Sequence, residues 1–257
     1  MKALYVAASG MAAQQVRLDS IANNMANIST TGFKKGRGSF EDLLYQNEPA
    51  GAARGEGGRP STLQVGSGAR MVGMHRDFST GSLQQTGNPF DMALGGRGFF
   101  VVEDADGNEF YTRDGRFNLN SEGDLVNTSG MMLSPGISIP QDADAVRIDS
   151  DGTISASYEG STNEMVLGTI RVVDFTNPAG LEAVGGNLYM ASPASGDPSE
   201  MYAEDSPEIT QYFLEGSNVD VAEELVDMIV AQRSFELTSK VIQSADEAMQ
   251  VVTNLKR

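Results

Sequence analysis

Two Asp-x-Asp-Gly stretches, Asp104-Ala105-Asp106-Gly107 and Asp149-Ser150-Asp151-Gly152, carry carboxylates at a spacing used in calcium loops. Such a loop also needs glycine at its sixth position and glutamate at its twelfth. In the first stretch those positions hold Glu109 and Gly115, and the second fails on the same ground, so both read as β-turns. Gly95-Gly96-Arg97-Gly98 resembles a phosphate cradle, but no helix N-terminus follows it to receive an anion. Phe99 to Val102 reads as a strand instead, and the glycines as backbone freedom before it. His75 is the only histidine and cysteine is absent, which removes two-histidine metal sites, thiolate sites and disulfides. A serine nucleophile has no histidine base but His75, which stands beside a linker-like stretch. With 35 acids in the chain no carboxylate pair stands out. The reading is a protein with no catalytic residues, no metal site and no cofactor, and not an enzyme.

Charge points the same way. The net charge is -17, unevenly placed: residues 1–76 hold nine lysines and arginines against five acids, and residues 77–257 nine against thirty. An acidic body does not suit nucleic acid or an anionic membrane. No run of 18 apolar residues is present, so direct membrane insertion is not expected. The apolar start, Ala3 to Ala8, meets Gln14, Gln15, Arg17 and Asp19 too soon for a cleaved signal peptide. If the protein leaves the cytoplasm, the expected route keeps its N-terminus.

The elements that organise the chain lie at its two ends. Val221, Leu225, Met228, Phe235, Ile242 and Met249 form a heptad-type seam through the last forty residues. A second stripe, Val226, Val230, Leu237, Val241, Val252 and Leu255, lies roughly 160° around the same helix. A helix of about 36 residues spans about 54 Å, and two opposed apolar stripes ask for neighbours on both sides. At the other end Leu4, Ala7, Met11, Gln14, Leu18, Ile21, Met25 and Ile28 step by three and four. The ends are therefore expected to pair, coiled-coil-like. Gly10 costs about 1 kcal/mol of helix propensity relative to alanine, so both helices should be frayed in a free monomer and fold on assembly.

The first helix should end near Ser29-Thr30-Thr31-Gly32, with glycine as its stop. Asn23, Asn24 and Asn27 crowd that end. Local capping is the simpler reading, and hydrogen bonding between helices that fixes register the sharper one. Lys34, Lys35 and Arg37 read as a solvated basic face. Pro49 to Pro60, glycine-rich and without large aliphatics, reads as an exposed loop. From Phe78 to Leu214 short β-type runs alternate with turns: Phe99–Val102 and Phe110–Thr112 around the Asp106-Gly107 step, then Arg116–Leu119, Val146–Ile148, Thr153–Ala156, Met165–Phe175 and Leu188–Met190. The fold class is α+β: paired terminal helices with an inserted all-β domain. The divisions are a first helix over 1–33, a connecting segment over 34–77, an outer β domain over 78–216 and a last helix over 217–257.

These blocks also carry a resemblance. IANNMANISTTGFKKGRGSFEDLLYQ at 21–46, TLQVGSGAR at 62–70, NPFDMALGGRGFFVV at 88–102, YTRDGRFNLNSEGDLV at 111–126 and SNVDVAEELVDMIVAQRSFELTSKVIQ at 217–243 resemble, in order, the flagellar basal-body rod and hook proteins. The FEDLLYQ extension resembles the distal-rod type, and Met25, Phe235 and Met249 stand where relatives commonly carry Leu, Tyr and Leu. Family-type positions include Asn23, Asn24, Asn27, Gly32, Phe33, Ser217, Asn218, Val219, Gln232 and Arg233.

The resemblance implies a structural subunit that polymerises helically into a hollow, rigid rod, crosses the periplasm and transmits torque to the hook. It implies partners in further copies of itself, proximal rod proteins below, hook protein above, P- and L-ring proteins around it, and the flagellar type III export apparatus. It also links Gln46 to Val65 with stiffness, from which we expect that this segment braces adjacent subunits although it reads as a loop in isolation. Another axial rod or hook-type protein is the nearest alternative. A saccharide-binding enzyme has few aromatics to work with here, and a stalked adhesion protein would stay monomeric or close into a small ring.

Overall fold

The computed structural model describes residues 2–49, 62–158, 164–201 and 207–255. It comprises two units, one of residues 1–25, 36–75 and 221–257, the other of residues 26–35 and 76–220. Among the described residues, two α-helices and a largely β middle make the chain α+β.

The first unit holds helix α1 (Lys2–Ala26) and helix α2 (Val221–Leu255). At 35 residues α2 spans about 52 Å. Glu223 and Glu224 stand in its first turn, where the helix dipole favours negative charge. The same unit orders two strand pairs: Gly36–Asp42 with Ala69–Arg76, and Tyr45–Pro49 antiparallel to Thr62–Gly66. The stretch from Pro49 to Pro60 lies, beyond Pro49, outside the described residues. Its flanks are ladder strands rather than loop, with Tyr45 opposite Gly66 and Pro49 opposite Thr62. Gly68 has φ +110 and approaches α1 so closely that a Cβ there would lie 2.1 Å from Ser9 Oγ.

The second unit is built around strand Phe99–Glu103. It pairs antiparallel with Glu109–Thr112 on one side and with Met132–Leu133 and Val172–Asp174 on the other. Side chains alternate faces along a strand, and here both faces are covered. Phe100 and Val102 join one core with Met92, Phe117, Leu133 and Ile154, while Phe99 and Val101 join another with Tyr111, Val173, Phe175 and Tyr189. Edge-to-face ring contacts at 4.8 to 6.1 Å tie the second core together, a favourable geometry for aromatic quadrupoles.

Both Asp-Gly steps are hairpin turns. Gly107 has φ +80 and donates to Asp104 O at 2.9 Å; Gly152 has φ +85 and donates to Asp149 O at 3.0 Å. The run expected from Met165 to Phe175 breaks at Ile170, which buries its side chain in the first core and donates to Gly152 O. Met165–Thr169 therefore completes a three-stranded sheet with Ala143–Ile148 and Thr153–Tyr158, while Val172–Asp174 enters the nine-stranded one. Two short pairs close the unit: Met92–Leu94 with Ile209–Gln211, and Leu83–Gln85 with Phe213–Glu215.

Candidate assembly site

Within the helical unit, polar side chains join α1 to α2. Asn24 is buried, and uses both ends of its amide. Its Nδ2 donates to Glu224 at 3.3 and 3.4 Å and to Gly36 O at 3.0 Å, while Oδ1 accepts from Gly36 N at 2.9 Å. One side chain thus joins two helices and the start of the first strand. Arg17 pairs with Asp227 at 2.9 Å, and further along α2 the Thr238 methyl lies near Gly10. Asn27 behaves differently: it holds the turn after α1, accepting from Thr30 N at 3.1 Å and from Thr30 Oγ1 at 3.2 Å. The asparagine cluster therefore divides, with capping at Asn27 and bonding between helices at Asn24. Asn23 is exposed.

The apolar positions divide as well. On α1, Ile21 is buried, and Leu4, Met11, Leu18 and Met25 are half-buried. On α2, Met228, Phe235 and Ile242 are half-buried and Ala231 is wholly buried, so these turn inward. Val221, Leu225 and Met249 of the same seam are exposed. The second stripe is open to solvent: Val226 at 61%, Val230 at 45%, Leu237 at 63% and Val241 at 53%, with Ile229 beside them at 57%. The side chain of Val252 lies outside the described residues. Gln232 is exposed, and exposed Arg233 pairs along the helix with Glu236 at 3.0 Å.

Within the β unit the remaining family-type positions gather around one buried carboxylate. Glu215 is 1% exposed; its Oε1 accepts from Lys34 Nζ at 2.6 Å and Gly81 N at 2.8 Å, and its Oε2 faces Arg113 at 3.4 Å. Its backbone carbonyl accepts from Gly32 N at 2.8 Å. Gly32 has φ +67, and a Cβ there would stand 2.6 Å from Asp114 N, so no other residue fits. Lys34 also donates to Ser79 O at 2.7 Å. Asn218 accepts from Lys35 N and donates to Asp77 O, each at 2.8 Å. Phe33 and Val219 are buried beside this cluster, and Ser217 Oγ accepts from Val219 N. Arg76 stacks over Phe33 and Tyr189.

The basic face expected at Lys34, Lys35 and Arg37 is thus corrected. Lys34 is fully buried and Lys35 is 5% exposed; only Arg37 reaches solvent, where it pairs with Glu223. Burial pushes the Lys34 ammonium below its usual pKa, with Glu215 opposing the shift, and Arg113 is lowered for the same reason. Asp77 acts on Lys34 and Asp174 on Arg113 in the same sense as Glu215, so further carboxylates balance the two cations. Glu215 and Arg113 escaped the sequence reading because nothing separates them from the other charged residues of the chain. Among the described residues no group of three or more potential ligands could hold a metal ion. The arrangement fixes backbone segments to one another.

Comparison with known proteins places these features. Residues 4–34 match the family model described as flagella basal body rod protein, residues 93–156 the flagellar hook protein FlgE/F/G D1 domain, and residues 210–255 the flagellar basal body rod FlgEFG protein C-terminal region. The flagellar basal-body rod protein FlgG of Agrobacterium fabrum is 41% identical, covering 100% of both chains. That of Borreliella burgdorferi is 42% identical over 100% of this chain and 99% of its own. The FlgF rod protein of Caulobacter vibrioides is 35% identical over 95% of this chain and 94% of its own. With relatives of this identity aligned from end to end, the chain belongs to the flagellar basal-body rod protein family.

Proposed function

We propose that the chain is a structural subunit of the bacterial flagellar basal-body distal rod, polymerising helically into a hollow, rigid shaft that transmits torque to the hook. The observation that carries this reading is the open stripe Val226, Val230, Leu237 and Val241 on a helix that also bonds to α1 through Glu224 and Asp227. A continuous apolar face left to solvent is a docking surface. A heterologous contact that does not close on itself yields a filament. In this reading α1 and α2 pair as a coiled coil, with Leu4, Met11, Leu18, Ile21 and Met25 meeting Met228, Phe235 and Ile242. The second stripe then meets the next subunit, along with Val221, Leu225, Met249 and Val252. The β domain over 78–216 lies outside the helical layer.

The same reading gives the subunit proximal rod proteins below and hook protein above, with P- and L-rings around it, in a rod that crosses the periplasm. Export would use the flagellar type III apparatus. The subunit works by holding position, not by catalysis. The neighbouring rod type stays as a second reading because the Caulobacter vibrioides FlgF protein aligns over nearly the whole chain. Electron microscopy of the concentrated protein, beside a form lacking residues 218–257, tests the proposal. Straight tubes from the full chain alone support it, and closed rings or monomers from isolated, template-seeded full chain oppose it.

A further inference from the structure

The β unit leaves a cleft of about 360 Å³ bordered by Pro89, Phe90, Leu119, Pro140, Val146 and Tyr212. Two strand ends meet there: Ala143–Ile148 is the outer strand of the three-stranded sheet, and Phe117–Leu119 ends the path of the nine-stranded one. In an antiparallel ladder, alternate residues turn both N–H and C=O away from the partner strand. Two side-chain amides mark which residues do so here. Gln211 Nε2 donates to Val146 O at 3.0 Å and its Oε1 accepts from Ile148 N at 3.2 Å. Asn88 Nδ2 donates to Phe117 O at 3.4 Å. The alternation puts the Val146 N–H on the same outward edge as its carbonyl, and Leu119 on the same edge as Phe117. Each amide stands in for part of a neighbouring strand and stops at the cleft.

The charge around the cleft narrows what can fill it. Asp144 lines the cleft and is exposed, sitting where the register shifts between Ala143 and Ala145; Glu122 and Asp142, adjacent in sequence to the lining residues Gly123 and Gln141, are exposed as well. Arg147, next in sequence to Val146, is engaged by Asp149 at 2.9 Å and Glu164 at 3.9 Å. A charged residue at a strand edge deters pairing with a like-charged edge, so a second acidic β unit is a poor occupant. A basic, extended chain is complementary. Three residues of strand span about 10 Å, which suits the size of the cleft.

We propose that this cleft accepts an extended basic polypeptide segment as an added strand, its backbone bonding to the Val146 edge, its apolar side chains against Phe90, Leu119 and Tyr212, and its cations near Asp142 and Asp144. Strand addition of this kind takes affinity from main-chain bonds and selectivity from alternate side chains.

The test is fluorescence anisotropy with the full-length monomer and three labelled hexapeptides: alternating valine and lysine, alternating valine and glutamate, and the lysine peptide N-methylated at alternate residues. The lysine peptide should bind, and the other two should bind at least about tenfold more weakly. Leu119→Arg, at a half-open surface position, and Asp144→Lys should each weaken binding by a similar factor. Equal binding of the N-methylated peptide would reduce the site to charge attraction and overturn strand addition. Failure of the lysine peptide to bind, or indifference to both substitutions, would also overturn it, as would protection of the Val146 amide by self-association alone.

Discussion

Lys34 Nζ and Glu215 Oε1 lie 2.6 Å apart across 181 residues of sequence, both shielded from solvent. The pair fixes the segment that follows α1 to the segment that precedes α2. Arg113 and the Gly81 N–H share the same carboxylate.

Removing one member of a buried pair leaves the other charged and dry, which costs about 3–5 kcal/mol. Lys34→Met should therefore lower stability by about that much in urea unfolding. A double-mutant cycle with Arg113→Met should show coupling, because both cations act on Glu215. Additive effects would mean that the carboxylate does not join them.

Asn24→Ala takes an amide away from Glu224 and from both backbone groups of Gly36. Hydrogen bonds to charged groups contribute about 1.5–3 kcal/mol, and a loss in that range is expected. Ala22→Ser, at an exposed position of the same helix, should change stability by no more than about 0.5 kcal/mol. Thermal unfolding of the two variants side by side checks the contrast.

Burial and the Glu109 carboxylate push the Tyr111 phenol up to about 12. A raised pKa in the folded state means that this group's contribution is complete below its unfolded value of 10 and is lost as pH climbs towards 12. Absorbance titration near 295 nm should show one late-ionising phenol fewer in Tyr111→Phe. That variant should also lose less stability than the parent between those two pH values.

The last turns of α2 have little to hold them in a lone chain: Asp246 to Val251 are exposed throughout. Helix that lacks packing is marginal, so circular dichroism of dilute monomer should show well under the 25 and 35 residues of α1 and α2, with the deficit recovered on polymerisation. Full helicity in the monomer would remove coupled folding from the account.

The helices and the β middle were legible because their signals are periodic and long. Val221 to Met249 repeats over several turns, and Phe99 to Val102 is an unbroken apolar run. Two-residue and three-residue strands such as Met132–Leu133 and Met92–Leu94 carry no period to read. Lys34 was misread because a run of Lys34, Lys35 and Arg37 resembles a solvated face, and its partner lies 181 residues away. The asparagines were half legible: poor helix formers at a helix end signal a purpose, but only the fold brings Glu224 and Gly36 to Asn24. The hairpin flanking residues 50–61 was hidden by composition, since proline and glycine outweighed the short β-type arms.

The central claim is that the open stripe of α2 is a contact between subunits. Val230→Lys combined with Leu237→Lys places charge on that stripe at positions 45% and 63% exposed, where the monomer loses little packing. The account predicts monomer with parental circular dichroism and melting, yet no rods beyond the proximal segment in basal bodies isolated from cells carrying only this form. Rods of normal length and straightness from the same cells would contradict it.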